Sequence, residues 1–95
     1  MIILQMEHPV PNYEGWKKAF ESDPLKRAES GVKSHRISRL ADNQNHVLIE
    51  LEFSDLVAAE KMLERLRELW SRVEGKIMLN PKARIIEVVE DKKYQ

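Results

Sequence analysis

Three histidines, two tryptophans and a set of carboxylates carry most of the chemistry open to this chain, because it has no cysteine. The densest grouping is His8-Pro9-Val10-Pro11-Asn12-Tyr13-Glu14-Gly15-Trp16-Lys17-Lys18-Ala19-Phe20. An imidazole exchanges a proton near neutral pH, and aromatic rings offer faces on which a planar ligand can lie. His8, Tyr13 and Trp16 therefore read as a polar-aromatic pocket mouth with His8 as acid or base. The same spacing also serves plain packing, with Trp16 and Phe20 sealing a helix onto a sheet and His8 closing a strand.

A second grouping sets His35 and Arg36 against Glu50 and Glu52. An imidazole or guanidinium beside carboxylates in a semi-enclosed space has shifted titration and can bind or move protons. The competing reading is an ion pair between strands or subunits. His8, His35 and Arg36 are thus the candidate catalytic residues, and Tyr13, Trp16, Glu50 and Glu52 the candidate substrate contacts. No His-x-Glu or His-x-His pair occurs and His46 falls at a hairpin tip, so neither a metal nor a cofactor is expected. Trp70 ends a helical stripe and reads as packing. Ile77, Met78 and Leu79 form an apolar run in a loop, which reads as a dimer contact.

The elements that must hold these residues follow from periodicity. Residues 2–7 alternate as a strand, with Ile2, Leu4 and Met6 on one face and Ile3, Gln5 and Glu7 on the other. Asn12 is a good N-cap for a helix carrying Tyr13, Trp16 and Phe20 on one side. Asp23-Pro24 is expected to restart that helix, and Ser30-Gly31 to stop it. Residues 32–41 and 46–53 form a hairpin, whose second arm alternates Val47, Ile49, Leu51 and Phe53 with polar neighbours. A two-residue loop sets His35 opposite Glu52, and a three-residue loop sets Arg36 there. A long helix over 55–73 carries the stripe Leu56, Ala59, Leu63, Leu66, Trp70 and Val73 and is ended by Gly75, and 83–90 is the last strand.

The order β-α-β-β-α-β is the split βαβ, ferredoxin-like arrangement, an α+β fold. Right-handed crossovers give a four-stranded antiparallel sheet in the order 4-1-3-2 with both helices on one face. The other face mixes Leu48 with Glu50, Glu52 and Gln5 or Glu7, which suits a polar cavity or a second subunit.

Composition narrows the function classes. Ninety-five residues make one domain, 1–95. A chain this short buries only about 60–65% of its unfolded surface, so burying a further face against a partner would help. Sixteen basic residues balance sixteen acidic ones, without the basic stripe of a nucleic-acid binder. No apolar run is long enough to span a membrane. The N-terminus lacks the parts of a signal peptide, and a cytoplasmic location is expected. Other users of this element order fit poorly. RNA-recognition domains need aromatics where strand 3 has Leu48, Glu50 and Glu52. Metallochaperones need paired cysteines. A phosphate-cradling loop needs the N–H groups that Pro9 and Pro11 lack.

The junction His8, Val10, Asn12, Tyr13, Trp16, Lys17 and Phe20, with Gly31-Val32-Lys33-Ser34-His35-Arg36 and Leu51-Glu52-Phe53-Ser54-Asp55, resembles the dimeric α/β-barrel superfamily. The likeness spans Met1 to Glu90 and is nearest to small antibiotic-biosynthesis-monooxygenase-like proteins. It implies a homodimer formed through the sheet faces, and a pocket in each subunit between sheet and helices. It also implies a cofactor-free enzyme of monooxygenase-like or isomerase-like type acting on a planar, aromatic or quinone-like molecule. Trp16, Tyr13 and Arg36 would stand for that group's pocket residues. The superfamily also holds ligand-binding and stress-related dimers without catalysis, the alternative reading. Its heme-degrading members need a strand-1 asparagine and a histidine after the helix-2 tryptophan. This chain has Gln5 and Asn80 at the corresponding places.

Overall fold

The computed structural model describes residues 1–73, without the side chain of Val73, and 80–94. The elements run β1 (Ile2–Pro9), α1 (Tyr13–Glu21), β2 (Val32–Leu40), β3 (Asn43–Phe53), α2 (Leu56–Val73) and β4 (Lys82–Glu87). The strands form one sheet in the order β2-β3-β1-β4, which is the expected order read from the other edge, and every pairing is antiparallel. The Gly75 helix stop and the run Ile77-Met78-Leu79 lie outside the described residues.

Strand alternation sorts the sheet into two unlike faces. Toward the helices point Leu4, Met6 and His8 of β1 and Val47, Ile49, Leu51 and Phe53 of β3, all buried. The opposite face carries Gln5, Glu7, Leu48, Glu50 and Glu52, together with Arg36 and Arg84 on the outer strands. On α2 the buried positions are Ala59, Met62 and Trp70. The stripe therefore includes Met62, which is not among its expected members, and leaves out Leu56, which is exposed. Asp55 caps this helix by accepting the Ala58 N–H at 2.8 Å.

Three expectations are corrected. The helix does not restart at Asp23-Pro24; turns fill the chain from Pro24 to Gly31. Asp23 and Lys26 adopt φ of 52° and 50°, left-handed values that no α-helix accommodates. Asp23 does accept the Arg27 N–H at 2.9 Å, so the capping chemistry is present without the helix. The hairpin turns at Ala41-Asp42, and irregularities between Val32 and Ser34 and between Arg39 and Leu40 displace its register. Ser34 stands opposite Glu52, His35 opposite Leu51 and Arg36 opposite Glu50, which is neither of the two expected alignments. The last strand ends at Glu87 instead of 90, and Val89 is solvent-exposed.

The junction between β1 and α1 forms as its residues dictate. Asn12 sits in extended conformation, φ −152° and ψ 119°, and its side chain accepts the Gly15 N–H at 2.9 Å. Pro9 closes β1 without a donor, and the Val10 N–H continues the alignment to the Asn45 carbonyl at 2.7 Å. An Asn12→Ala variant is expected to lose about 1 kcal/mol of stability. Urea unfolding should show a lower midpoint with an unchanged slope.

Candidate active site

Between the sheet and the two helices lies a cavity of about 270 Å³. It exceeds the ~150 Å³ cavity known to take one benzene, so one ring with substituents or a fused pair fits. Its floor is Met6, His8, Ile49 and Leu51 on the sheet, one wall is Trp16 and Phe20 on α1, and the other is Met62, Leu66 and Trp70 on α2. Ala19 of α1, Leu69 of α2 and, from the segment after α1, Ser22, Pro24, Leu25 and Arg27 also line it.

His8 reaches this space because it lies an even number of residues from Leu4 and Met6. Only 2% of it is exposed. Its ring stands edge-on to Trp16, with centroids 5.8 Å apart. Nδ1 lies 3.3 Å from the Pro9 carbonyl oxygen. A carbonyl can only accept, so the neutral ring keeps its proton on Nδ1 and leaves Nε2 as an acceptor. Among the described residues Nε2 has no hydrogen-bond partner, and no buried side-chain nitrogen or oxygen lacks one. Nε2 therefore keeps contact with open space, here the cavity that His8 lines. Burial pushes the His8 imidazole below its ordinary value, and the positive field of His46 adds to this, while the Pro9 carbonyl works against it.

The other candidates separate into three places. Trp16 lines the cavity. Tyr13 stands behind it, with ring centroids 5.9 Å apart, and carries the Arg39 guanidinium 4.5 Å above its own ring. His35 faces the helices but meets Phe20 edge-on at 5.1 Å, so it supports the cavity wall without lining it. Arg36, Glu50 and Glu52 lie on the opposite sheet face. There Arg36 is 3.9 Å from Glu50, and the Ser34 hydroxyl donates to Glu52 at 3.0 Å.

That face continues with Arg84, which donates to Gln5 at 2.7 Å, and with Glu7, which lies 2.9 Å from His46 Nε2. The hydrogen bond from His46 holds the Glu7 carboxyl below its ordinary value. Partial burial opposes this, and the charges of His46, Arg84 and Lys82 reinforce it. Among the described residues no three His, Cys, Asp or Glu side chains group closely enough to hold a metal ion.

Sequence reasoning did not single out Arg27. Its guanidinium carbon lies 3.7 Å from the centroid of the Phe20 ring, and its Nη1 donates to the Phe20 carbonyl at 3.0 Å. The spacing from Phe20 is seven residues, which would have suggested stacking only if the helix had continued. The turns bring the two together by another path.

The pH dependence of stability follows from His8 and Glu7. Because burial lowers the folded-state value of His8, the unfolded chain binds a proton first as the pH falls. His8 costs nothing well above its ordinary value of 6.5, and stability falls as pH drops below that value until the folded state also titrates. The Glu7 contribution is present above the ordinary value of 4.5 and is lost as pH falls through its lower folded value. Urea unfolding at about pH 7.5 and about pH 5 should show a loss in the wild type that His8→Gln removes. An equal loss in both proteins would place its source elsewhere.

No protein-family model matches the chain, and no curated protein matches it. Solved structures do. A cofactor-independent oxygenase from Streptomyces nogalater superposes with a TM-score of 0.75 at 13% identity, covering 95% of this chain and 94% of that one. A candidate antibiotic biosynthesis monooxygenase from Deinococcus radiodurans gives a TM-score of 0.67 at 15% identity over 100% and 99% of the two chains. A dimeric ferredoxin-like protein from an uncultured marine organism gives 0.65 at 11% identity over 99% and 100%. No helix among the described residues is long and apolar enough to cross a membrane. At these identities the likeness is one of architecture, and the chain has the ferredoxin-like α+β fold shared by antibiotic-biosynthesis-monooxygenase-like proteins.

Proposed function

We propose that the protein is a small-molecule enzyme of monooxygenase-like or isomerase-like type, acting without a resident cofactor on a planar organic substrate in the sheet-helix cavity. One observation carries this reading: a buried histidine lines an apolar cavity with its Nε2 left without a hydrogen-bond partner among the described residues. Neutral imidazole at that place takes a proton from an acidic C–H or O–H of a bound ligand. The enolate or phenolate formed beside it supplies the counter-charge that the apolar walls lack, so the imidazolium is stabilised only when substrate is present. The Pro9 carbonyl holds the ring orientation throughout.

Two outcomes balance from that anion. Return of the proton to a different carbon is an isomerisation. Reaction with dioxygen converts a substrate CH₂ to C=O, the second oxygen atom leaving as water. The cofactor-independent oxygenase among the solved structures of this fold supports the second.

Trp16 is the ring platform in this proposal, with Tyr13 and His35 as positioning residues behind Trp16 and Phe20. Arg36, Glu50 and Glu52 belong to a different task, the contact with a second copy through the open sheet face. Charged groups paired across strands, with Ile3 and Leu48 among them, suit such a contact, and a dimeric protein of the same fold supports it. A cytoplasmic protein remains the accompanying expectation. The alternative, a ligand-binding dimer without turnover, is favoured by the lack of any other proton-transfer side chain of ordinary reactivity in the described lining.

Oxygen uptake and absorbance with a panel of phenols, hydroquinones and tricyclic ketones test the reading. His8→Gln is expected to lose about 10²- to 10⁴-fold in rate while still binding ligand. Full activity in that variant would remove His8 from the chemistry. Ligand-induced heat stabilisation without turnover would establish the binding protein. Sedimentation equilibrium at micromolar concentration is expected to give the dimer, and a monomer there would end the barrel reading.

A further inference from the structure

Apart from His8, the only ionisable side chain in the described cavity lining is Arg27. Its side chain is only 18% exposed, so it is a cation largely withdrawn from water. Two contacts account for one of its nitrogens. Nη1 donates to the Phe20 carbonyl at 3.0 Å and lies 3.4 Å from Asp23 Oδ1. Nε and Nη2 have no partner among the described residues. Stacking on Phe20, itself a lining residue, fixes the guanidinium plane at 3.7 Å from the ring centroid.

A turn clamp needs only the Nη1 contact. The free Nε/Nη2 edge has the fork geometry that takes both oxygens of a carboxylate, and such bidentate pairs are strongest where water is scarce. A buried ligand carboxylate in turn needs a partner of this kind, since the remaining walls are almost entirely apolar. Asp23 faces the same guanidinium from outside the lining, and it balances part of the charge when the cavity is empty.

We propose that Arg27 sets the specificity of the cavity, which takes planar aromatic acids: the ring lies among Trp16, Phe20 and Trp70, and the carboxylate sits on the Nε/Nη2 edge of Arg27. The inference rests on the cavity being the ligand site, and it adds the charge of the ligand to that reading.

Calorimetric titration with 2-naphthoate and its uncharged isostere 2-naphthamide tests it. Wild type is expected to bind the acid at least about tenfold more tightly than the amide, a step of about 1.4 kcal/mol. Arg27→Gln should bring the two within about twofold by weakening the acid alone, and Arg27→Lys should keep part of the preference. Asp23→Asn is the decisive companion. Asparagine accepts the same backbone N–H and tolerates the left-handed backbone at this position, yet it leaves the Arg27 charge uncompensated. It should tighten the acid severalfold and leave the amide unchanged, an effect that a purely structural Arg27 would not produce. That variant also decides the matter if Arg27→Gln fails to fold by circular dichroism. Equal binding of acid and amide by wild type, or an unaltered preference in either Arg27→Gln or Asp23→Asn, overturns the assignment of Arg27 while leaving the cavity as a ligand site. Binding of neither compound, or undiminished binding in a cavity-filling Ala19→Trp variant, overturns the cavity reading and this inference with it.

Discussion

The burial of Trp16 is the contact on which the arrangement depends. Its ring is 3% exposed and stands 5.3 Å from Phe20, 5.9 Å from Tyr13 and 5.8 Å from His8. Helix α1 is nine residues long, too short to be stable in water by its own hydrogen bonds. It persists because this aromatic row joins it to the sheet. A buried ring of this size is worth about 3–5 kcal/mol by truncation, a large part of the margin of a small domain. The same ring sets one wall of the cavity and one boundary of the His8 environment. Packing and candidate chemistry therefore share a residue here: Trp16 seals helix α1 onto the sheet and also lines the cavity beside His8.

Strand parity explains what was legible. The run from Val47 to Phe53 alternates cleanly because β3 is central and its two faces meet different surroundings, so its burial is written in residue type. His8 falls on the inner face by the same parity, and the residues 2–7 already contain that information. Strand β2 is an edge strand, mostly exposed along its length, and its sequence carries no matching constraint. With little apolar pattern to enforce it, the alignment is set instead by the turn at Ala41-Asp42 and by the two irregularities in its pairing. That is why His35 faces the helices opposite Leu51, while Arg36 turns outward to Glu50.

The segment from Ser22 to Gly31 was legible in its chemistry but not in its shape. Asp23, Ser30 and Gly31 each behave as their residue types suggest: Asp23 accepts the Arg27 N–H as a cap would, Ser30 donates to the Leu25 carbonyl, and Gly31 adopts φ 96°. What determines the path is distant in sequence. Arg65 of α2 donates to the Ser30 hydroxyl at 2.8 Å and to the Leu25 carbonyl at 3.3 Å. A tertiary contact of that kind outweighs a weak local preference for helix, and no window of neighbouring residues contains it. Arg27 is placed over the cavity wall by this folded-back path, and so escapes a reading based on helical spacing.

The two faces of the sheet then solve one electrostatic problem in opposite ways. On the open face each described carboxylate of the central strands has a nearby donor or cation: Glu7 has His46 and Arg84, Glu50 has Arg36, and Glu52 has Ser34. Glu7 and Glu50 thus have a cation within 4 Å, and the Ser34 hydroxyl solvates Glu52, which lowers the cost of covering this face with a second copy. On the helix face the described cavity lining holds two ionisable groups, His8 and Arg27. His8 is driven toward neutrality by burial, and the Arg27 charge is only partly offset by Asp23. A ligand of the proposed kind would meet one proton acceptor without a charge and one cation without a full partner. That asymmetry makes the helix side of the sheet the better place for the proposed chemistry, although most of the ion pairs among the described residues lie elsewhere.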